Sequence, residues 1–195
     1  MRVPKESFLP GFNPRRADIA HGGDHTKGKR KERRPFDPKQ ALHVVLRSSK
    51  ARGHWSMLNR RHSQPIHDFT HGLADRFGVR IYCYANVGNH IHLLIRAKSR
   101  PVLQRFLREL AGAIAIIVTG AKKGASLVKN NQDRGFWDHL LFTRIVAFGR
   151  DFKGMRSYLI KNLFEAAGVP MKKLLAQGYR IMTIEKDAEI SGTPP

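Results

Sequence analysis

The feature that most constrains the fold is a pair of short apolar runs separated by Gly88-Asn89. The first run covers residues 79–85 and the second covers residues 90–95. Both have the length of a strand, and glycine next to asparagine is typical of a turn. The sequence therefore predicts a β-hairpin, and the rest of the chain has to supply partners for its strands.

Patterns on either side of the hairpin predict the remaining elements. Short apolar runs at 42–47 and 140–146 are typical of strands. Apolar residues recur at helical spacing in three stretches, at 63–77, 99–118 and 151–163. The order is strand, helix, strand, strand, helix, strand and a further helix. This order predicts an α+β, ferredoxin-like split β-α-β-β-α-β fold. It has a four-stranded antiparallel sheet with helices on one face, plus an added C-terminal helix that bears Tyr158.

Capping residues predict where the helices begin. Ser63 followed by Pro65 indicates one start, and Ser99 followed by Pro101 indicates another. Asp151 is a plausible N-cap for the third helix.

The length of 195 residues fits one domain with tails. Residues 1–40 are basic and rich in proline and glycine, so we expect a disordered N-terminal arm. Residues 41–168 should form the folded domain, and 169–195 a partly disordered C-terminal extension.

The charge balance points to a polyanionic partner. The chain has 36 Lys and Arg against 15 Asp and Glu, a net charge of +21 with neutral histidines. Phosphate contacts dominate non-specific nucleic-acid binding, so nucleic acid is the first candidate. No apolar segment is long enough for a bilayer or suits a signal peptide, which predicts a cytoplasmic protein with no membrane partner. Cys83 is the single cysteine, so an intrachain disulfide is excluded, and a buried, inert thiol is expected.

Two histidines lie one residue apart in a predicted strand, at His90 and His92. Alternation puts both imidazoles on one face and points Ile91 into the core. Such a pair can bind one metal ion, but two solvated or hydrogen-bonded histidines would give the same pattern.

Tyr158 and Asn162 are four residues apart in the third predicted helix, so they share a face at about 6 Å. An ordinary tyrosine at the edge of the core is the alternative. Taken together, His90, His92 and the amide of Asn162 could supply three neutral ligands to a divalent cation. Mg²⁺ or Mn²⁺ suits such a site and would help a weakly nucleophilic phenol to attack a phosphate.

The run Asn89-His90-Ile91-His92-Leu93-Leu94 resembles the Asn-His-hydrophobic-His-Leu-Leu signature of single-tyrosine HUH transposases. These include small insertion-sequence transposases and REP-associated tyrosine transposases. The segment from Arg156 to Asn162 is similar to the tyrosine helix of the family. The likeness covers roughly residues 42–168.

The resemblance implies that Tyr158 attacks a DNA phosphate and becomes joined to the 5′ end. It implies that His90, His92 and Asn162 hold the metal. It also implies a single-stranded DNA substrate with hairpins, and it allows a homodimer that exchanges the tyrosine helix. The chain departs from the family at Val87-Gly88, where Met-Pro is usual, and at Leu163, where REP-associated members have proline. Those members also place Ala-Gly one residue earlier than Ala167-Gly168.

Further residues are candidates for contacts with DNA, either by stacking on bases or by binding phosphates. Tyr82 and Tyr84 should face one side of their strand. Phe136 and Trp137 could stack on bases, although packing is more typical of Trp137. The candidates for DNA contact are Arg47, Arg52, Trp55, Arg60, Arg61, Arg105 and Arg108.

Two other functions remain open on sequence grounds. A non-catalytic basic nucleic-acid-binding module on the same fold would work without the Tyr158 hydroxyl. A basic structural protein with an incidental His-x-His would show no dependence on metal.

Overall fold

A computed structural model describes residues 19–23, 33–121 and 135–168. Its elements, in chain order, are β1 (Ala20–His21), β2 (Ala41–Arg47), a short 3₁₀ turn (Gly53–Trp55), α1 (Arg60–Phe77), β3 (Arg80–Asn86), β4 (His90–Arg96), α2 (Arg100–Thr119), β5 (Phe142–Val146) and α3 (Arg150–Ala166). The strands form one antiparallel sheet in the order β1-β5-β2-β4-β3. The predicted α+β class and the split order of elements are confirmed.

The larger core lies between one face of the sheet and helices α1 and α2. Alternate residues of the central strands point into it, namely Leu42, Val44 and Leu46 from β2 and Ile91, Leu93 and Ile95 from β4. Because side chains alternate along a strand, the residues between them face the other side of the sheet. His90 and His92 therefore lie on the face away from α1 and α2.

Helix α3 covers that second face with a smaller core. Its buried residues are Met155 and Leu159 from α3, with Ala41, Ala85, Leu94 and Val146 from the sheet. The Arg144 guanidinium donates to the Asp151 carboxylate at 2.9 Å, which ties β5 to the first turn of α3. The nucleophile candidate Tyr158 is thus held on the same face as the two histidines.

Two helix starts differ from the prediction. Helix α1 begins at Arg60 after the cap Asn59, whose side chain accepts from the Arg61 amide at 3.0 Å. The predicted start at Ser63 and Pro65 was therefore about one helical turn too late. Asparagine is as good an N-cap residue as serine, so Asn59 can begin the helix earlier. Asp151 lies inside the first turn of α3, and its carboxylate binds Arg144 instead of capping; the N-cap is Gly149. The predicted start of α2 after Ser99 is confirmed.

The sheet has one strand that the sequence did not predict. Ala20–His21, within the predicted arm, pairs with β5 and makes the sheet five-stranded instead of four-stranded. Further along the arm, the Arg34 guanidinium donates to the Leu141 carbonyl at 3.0 Å. Arm residues 1–18 and 24–32 and the whole of the predicted C-terminal extension, 169–195, lie outside the described residues, so the domain boundaries stay predictions. Within the described part of the chain, no helix is long and apolar enough to cross a membrane.

Candidate functional site

The site is centred on His92, which lies on β4 between strands β2 and β3. Its side chain is almost fully buried. Its Nδ1 lies 3.0 Å from Nε2 of His43 on β2. Its other nitrogen, Nε2, is buried with no hydrogen-bond partner. Buried polar atoms are normally paired, so this nitrogen is a candidate ligand atom.

His90 is half-buried, and its ring centre is 4.6 Å from that of His92. Its Nδ1 lies 2.6 Å from the Asn89 Oδ1 atom. An amide oxygen can only accept, so Nδ1 of His90 carries the proton and Nε2 of His90 keeps its lone pair. The sequence prediction that both imidazoles share one face is confirmed.

The surroundings keep the imidazoles neutral. Burial, with help from His43 and His90, lowers the pKa of His92 to about 2. Burial, aided by Arg144, lowers the pKa of His43 to about 3, although Asp151 acts in the opposite direction. Burial and then Arg47 lower the pKa of His90. Neutral imidazole is the form that binds a metal ion.

Tyr158 reaches the histidines from α3. Its ring packs edge-on against the His92 ring, with the centres 6.0 Å apart and the planes at 84°. It also packs against the small core beneath α3. Asn162 follows one helical turn later and is half-buried. The structure thus brings His90, His92 and Tyr158 together, with Asn162 on the same helix.

The candidate DNA contacts fall into two groups. Arg47 pairs with His90 in the sheet register, is exposed, and lies 3.8 Å from Asp138 through its Nε. The exposed Arg52, Arg60 and Arg61 and the half-buried Trp55 lie in the loop after β2 or at the start of α1. The exposed Arg105 and Arg108 lie on α2, over the opposite face of the sheet, and are not brought to the histidines.

One prediction about aromatic side chains was wrong. A β-bulge between Ile81 and Cys83 puts Tyr82 and Tyr84 on opposite faces of β3, because the extra residue shifts the alternation. Tyr82 packs against Phe152 of α3, whereas Tyr84 packs against His67 of α1.

The packing predicted for Trp137 is confirmed, since it packs against the larger core and its Nε1 donates to the Ala111 carbonyl. Phe136, a candidate for stacking on bases, is buried in that core instead. Cys83 was expected to be buried but is half-buried, and burial raises the pKa of its thiol.

Sequence reasoning missed three polar residues around the site. His43 lies within hydrogen-bond distance of Nδ1 of His92, and Asn89 lies within hydrogen-bond distance of Nδ1 of His90. Asn86 is buried and orders the turn before His90, since its amide donates to the Met57 carbonyl at 2.8 Å and accepts from the Gly88 amide at 3.0 Å. Asparagines beside Gly88 carried a local signal of a structured turn, but His43 carried none.

Comparison with known proteins places the chain in a family. The family model described as "Transposase IS200 like" matches residues 38–147, more than half of the 195-residue chain. The match includes His43, His90 and His92 and ends before α3. The chain therefore belongs to the IS200-like transposase family. Transposases act on DNA by cleaving it, so the protein is a DNA-binding and DNA-cleaving enzyme.

One similar solved structure comes from Deinococcus radiodurans R1 and is provisionally described as a transposase. The two chains are 17% identical, with a TM-score of 0.41, and the alignment covers 69% of this chain and 98% of the other. A comparison with curated proteins found no match.

Proposed function

We propose that the protein is a metal-dependent single-strand endonuclease and strand transferase in which Tyr158 is the nucleophile. His90, His92 and Asn162 would hold the Mg²⁺ or Mn²⁺ ion. The observation that carries the proposal is the buried, unpaired Nε2 of His92, in a ring that the Tyr158 ring contacts. A metal ion would satisfy that atom beside the nucleophile.

The chemistry of the donors fits such an ion. His90 has its Nδ1 bound to Asn89, and His92 has its Nδ1 bound to His43, so each can direct Nε2 to the metal. Among the described residues, no group of three or more His, Cys, Asp or Glu side chains is placed to hold a metal. Two imidazoles would therefore need oxygen ligands of another kind, which the Asn162 amide, water and phosphate can supply.

When bound, the metal would withdraw charge from the phosphate oxygens and so favour attack at phosphorus. The Tyr158 oxygen would form a bond to phosphorus while the bond from phosphorus to the 3′ oxygen breaks. The released 3′ hydroxyl takes up a proton, and the 5′ phosphate stays on Tyr158. Attack by a 3′ hydroxyl on this phosphotyrosine would rejoin DNA without a nucleotide cofactor, because the phosphodiester energy is retained.

The substrate class follows from the family resemblance and the charge. We propose single-stranded DNA beside hairpins as the target, with the protein on DNA in the cytoplasm. A homodimer that exchanges the tyrosine helix is compatible with α3 resting on a small core of its own.

The test is a cleavage reaction on labelled single-stranded hairpin DNA with Mn²⁺, resolved on a denaturing gel. The best substrate is the sequence that flanks the gene. The wild-type protein should give a covalent protein–DNA band that disappears in Tyr158→Phe and when the metal is chelated. Tyr82→Phe is the matched control, since it loses a hydroxyl on the same face of the sheet and should keep the band.

A band that persists in Tyr158→Phe would assign the nucleophile elsewhere. No band from the wild-type protein, on flanking DNA that it demonstrably binds, would favour a non-catalytic binding module on this fold.

A further inference from the structure

A groove of about 590 Å³ lies between the 3₁₀ turn, the start of α1 and the end of α2. Its lining combines the indole of Trp55, the guanidinium of Arg61 and the imidazoles of His54 and His62 with apolar residues such as Ile117. Among the described residues, no acidic side chain lines it. The groove is therefore aromatic, apolar and open to an anion.

The aromatic wall is preformed. Trp55 is half-buried because part of its indole packs against the larger core. The His54 ring meets it edge-on, with the centres 5.6 Å apart. A fixed indole loses little conformational entropy when a flat ligand stacks on it. Proteins that bind unpaired bases without sequence preference do so by stacking the bases on aromatic side chains.

The cationic side of the groove is also available to a ligand. Arg61 is exposed and forms no ion pair with a described carboxylate. The first turn of α1 contains no acidic residue. The Ser56 carbonyl accepts a hydrogen bond from Nδ1 of His62 at 3.0 Å, which leaves the other ring nitrogen for a ligand.

Hydrogen bonds connect the groove to the histidine site. The Ser48 amide donates to the Asn89 carbonyl at 2.9 Å, and the Met57 amide donates to the Gly88 carbonyl at 2.8 Å. The loop that carries Trp55 is thereby fixed to the turn immediately before His90. The groove and the histidine site lie at the same end of the sheet, on opposite faces.

We propose that this groove binds one unpaired nucleotide of the DNA substrate, with the base stacked on Trp55 and a neighbouring phosphate bound by Arg61. Such a contact would fix the number of nucleotides between the bound base and the phosphate at His90 and His92, because the strand would run past the loop that carries Trp55. The inference rests on the proposed action on single-stranded DNA.

The test uses tryptophan fluorescence. The chain has two tryptophans, so Trp137→Phe leaves Trp55 as the reporter. An unstructured oligo-dT should quench Trp55, and a blunt duplex of equal length should not. If Trp137→Phe does not fold, the wild-type signal minus that of Trp55→Phe gives the same quantity.

Arg61→Ala should weaken the binding of oligo-dT about tenfold, as expected for one lost nucleotide contact. Arg60→Ala is the matched control: it removes the same charge from a neighbouring exposed residue that does not line the groove, so about a twofold loss is expected.

Two results would overturn the inference. One is an unquenched Trp55 in a protein that shifts the same oligonucleotide on a native gel. The other is an equal loss of affinity in Arg60→Ala and Arg61→Ala, which would mean that only the general charge matters. The covalent band of Tyr158 is read separately, so quenching without a covalent band would defeat the proposed catalysis and leave the groove assigned.

Discussion

At the scale of single residues, the contact with His43 fixes the orientation of the His92 ring. A histidine that binds a metal through one nitrogen is usually fixed by a hydrogen bond at the other. Here Nδ1 of His92 is 3.0 Å from Nε2 of His43, and both rings are buried. We therefore regard His43 as a positioning residue for the proposed metal site.

His43→Ala should weaken Mn²⁺ binding about 10- to 100-fold, because the His92 ring loses the partner that fixes it. Isothermal titration with Mn²⁺ in the absence of DNA measures this directly, with folding checked by circular dichroism. His43→Gln keeps a hydrogen-bonding side chain and should recover part of the affinity. His67→Ala removes an exposed imidazole from α1 and should leave Mn²⁺ binding unchanged. Equal affinities for His43→Ala and the wild-type protein would contradict the positioning role.

The two histidines could be placed from the sequence, whereas their partner could not. Strand alternation is local and regular, so the spacing of His90 and His92 is enough to put them on one face. His43 lies 49 residues from His92 and meets it only because β2 and β4 pair in a particular register. No local pattern specifies that register.

At the scale of elements, the sequence predicted long patterns well and short ones poorly. The strands β2 to β5 appear as apolar runs of strand length, and the three helices carry a period of 3.6 residues. Strand β1 has only Ala20–His21, which is too short to show a period, so it depends on the exposed edge of β5. The bulge in β3 also escaped prediction, because nothing in its apolar run marks the residue that breaks the alternation.

Glycine at position 22 is what lets β1 reach β5. Its backbone has φ of +83°, and a Cβ there would lie 2.1 Å from the Leu141 carbonyl oxygen. Gly22→Ala should therefore displace the β1 segment and lower the free energy of unfolding by about 1–3 kcal/mol, as measured by urea titration.

The matched control is Gly112→Ala on α2, where a Cβ would meet nothing within 4 Å. It should raise the free energy of unfolding by up to about 1 kcal/mol, since alanine favours a helix. Equal stabilities for Gly22→Ala and the wild-type protein would mean that β1 adds nothing to the fold.

At the scale of the whole molecule, the net charge of +21 should make binding to DNA sensitive to salt. Arg47, Arg52 and Arg61 lie toward the end of the sheet that carries His90 and could neutralise about three phosphates of a single strand. The logarithm of affinity should then fall with the logarithm of salt concentration with a slope of about −2, or about twentyfold from 50 to 200 mM. Fluorescence anisotropy of an unstructured oligonucleotide measures the slope, and a value near zero would rule out phosphate contacts as the main source of affinity.

The two faces of the sheet have cores of unequal size. Strand β4, which carries His90 and His92, and helix α3, which carries Tyr158, therefore differ in local stability. Strand β4 is buried between two neighbours and over the larger core, so it can open only when the whole domain unfolds. The core between helix α3 and the sheet contains six buried residues, two of which belong to α3. A segment with few buried contacts can detach while the rest stays folded. The two histidines proposed as metal ligands thus stay in place, whereas α3, which carries the proposed nucleophile Tyr158 and the proposed ligand Asn162, can detach and return.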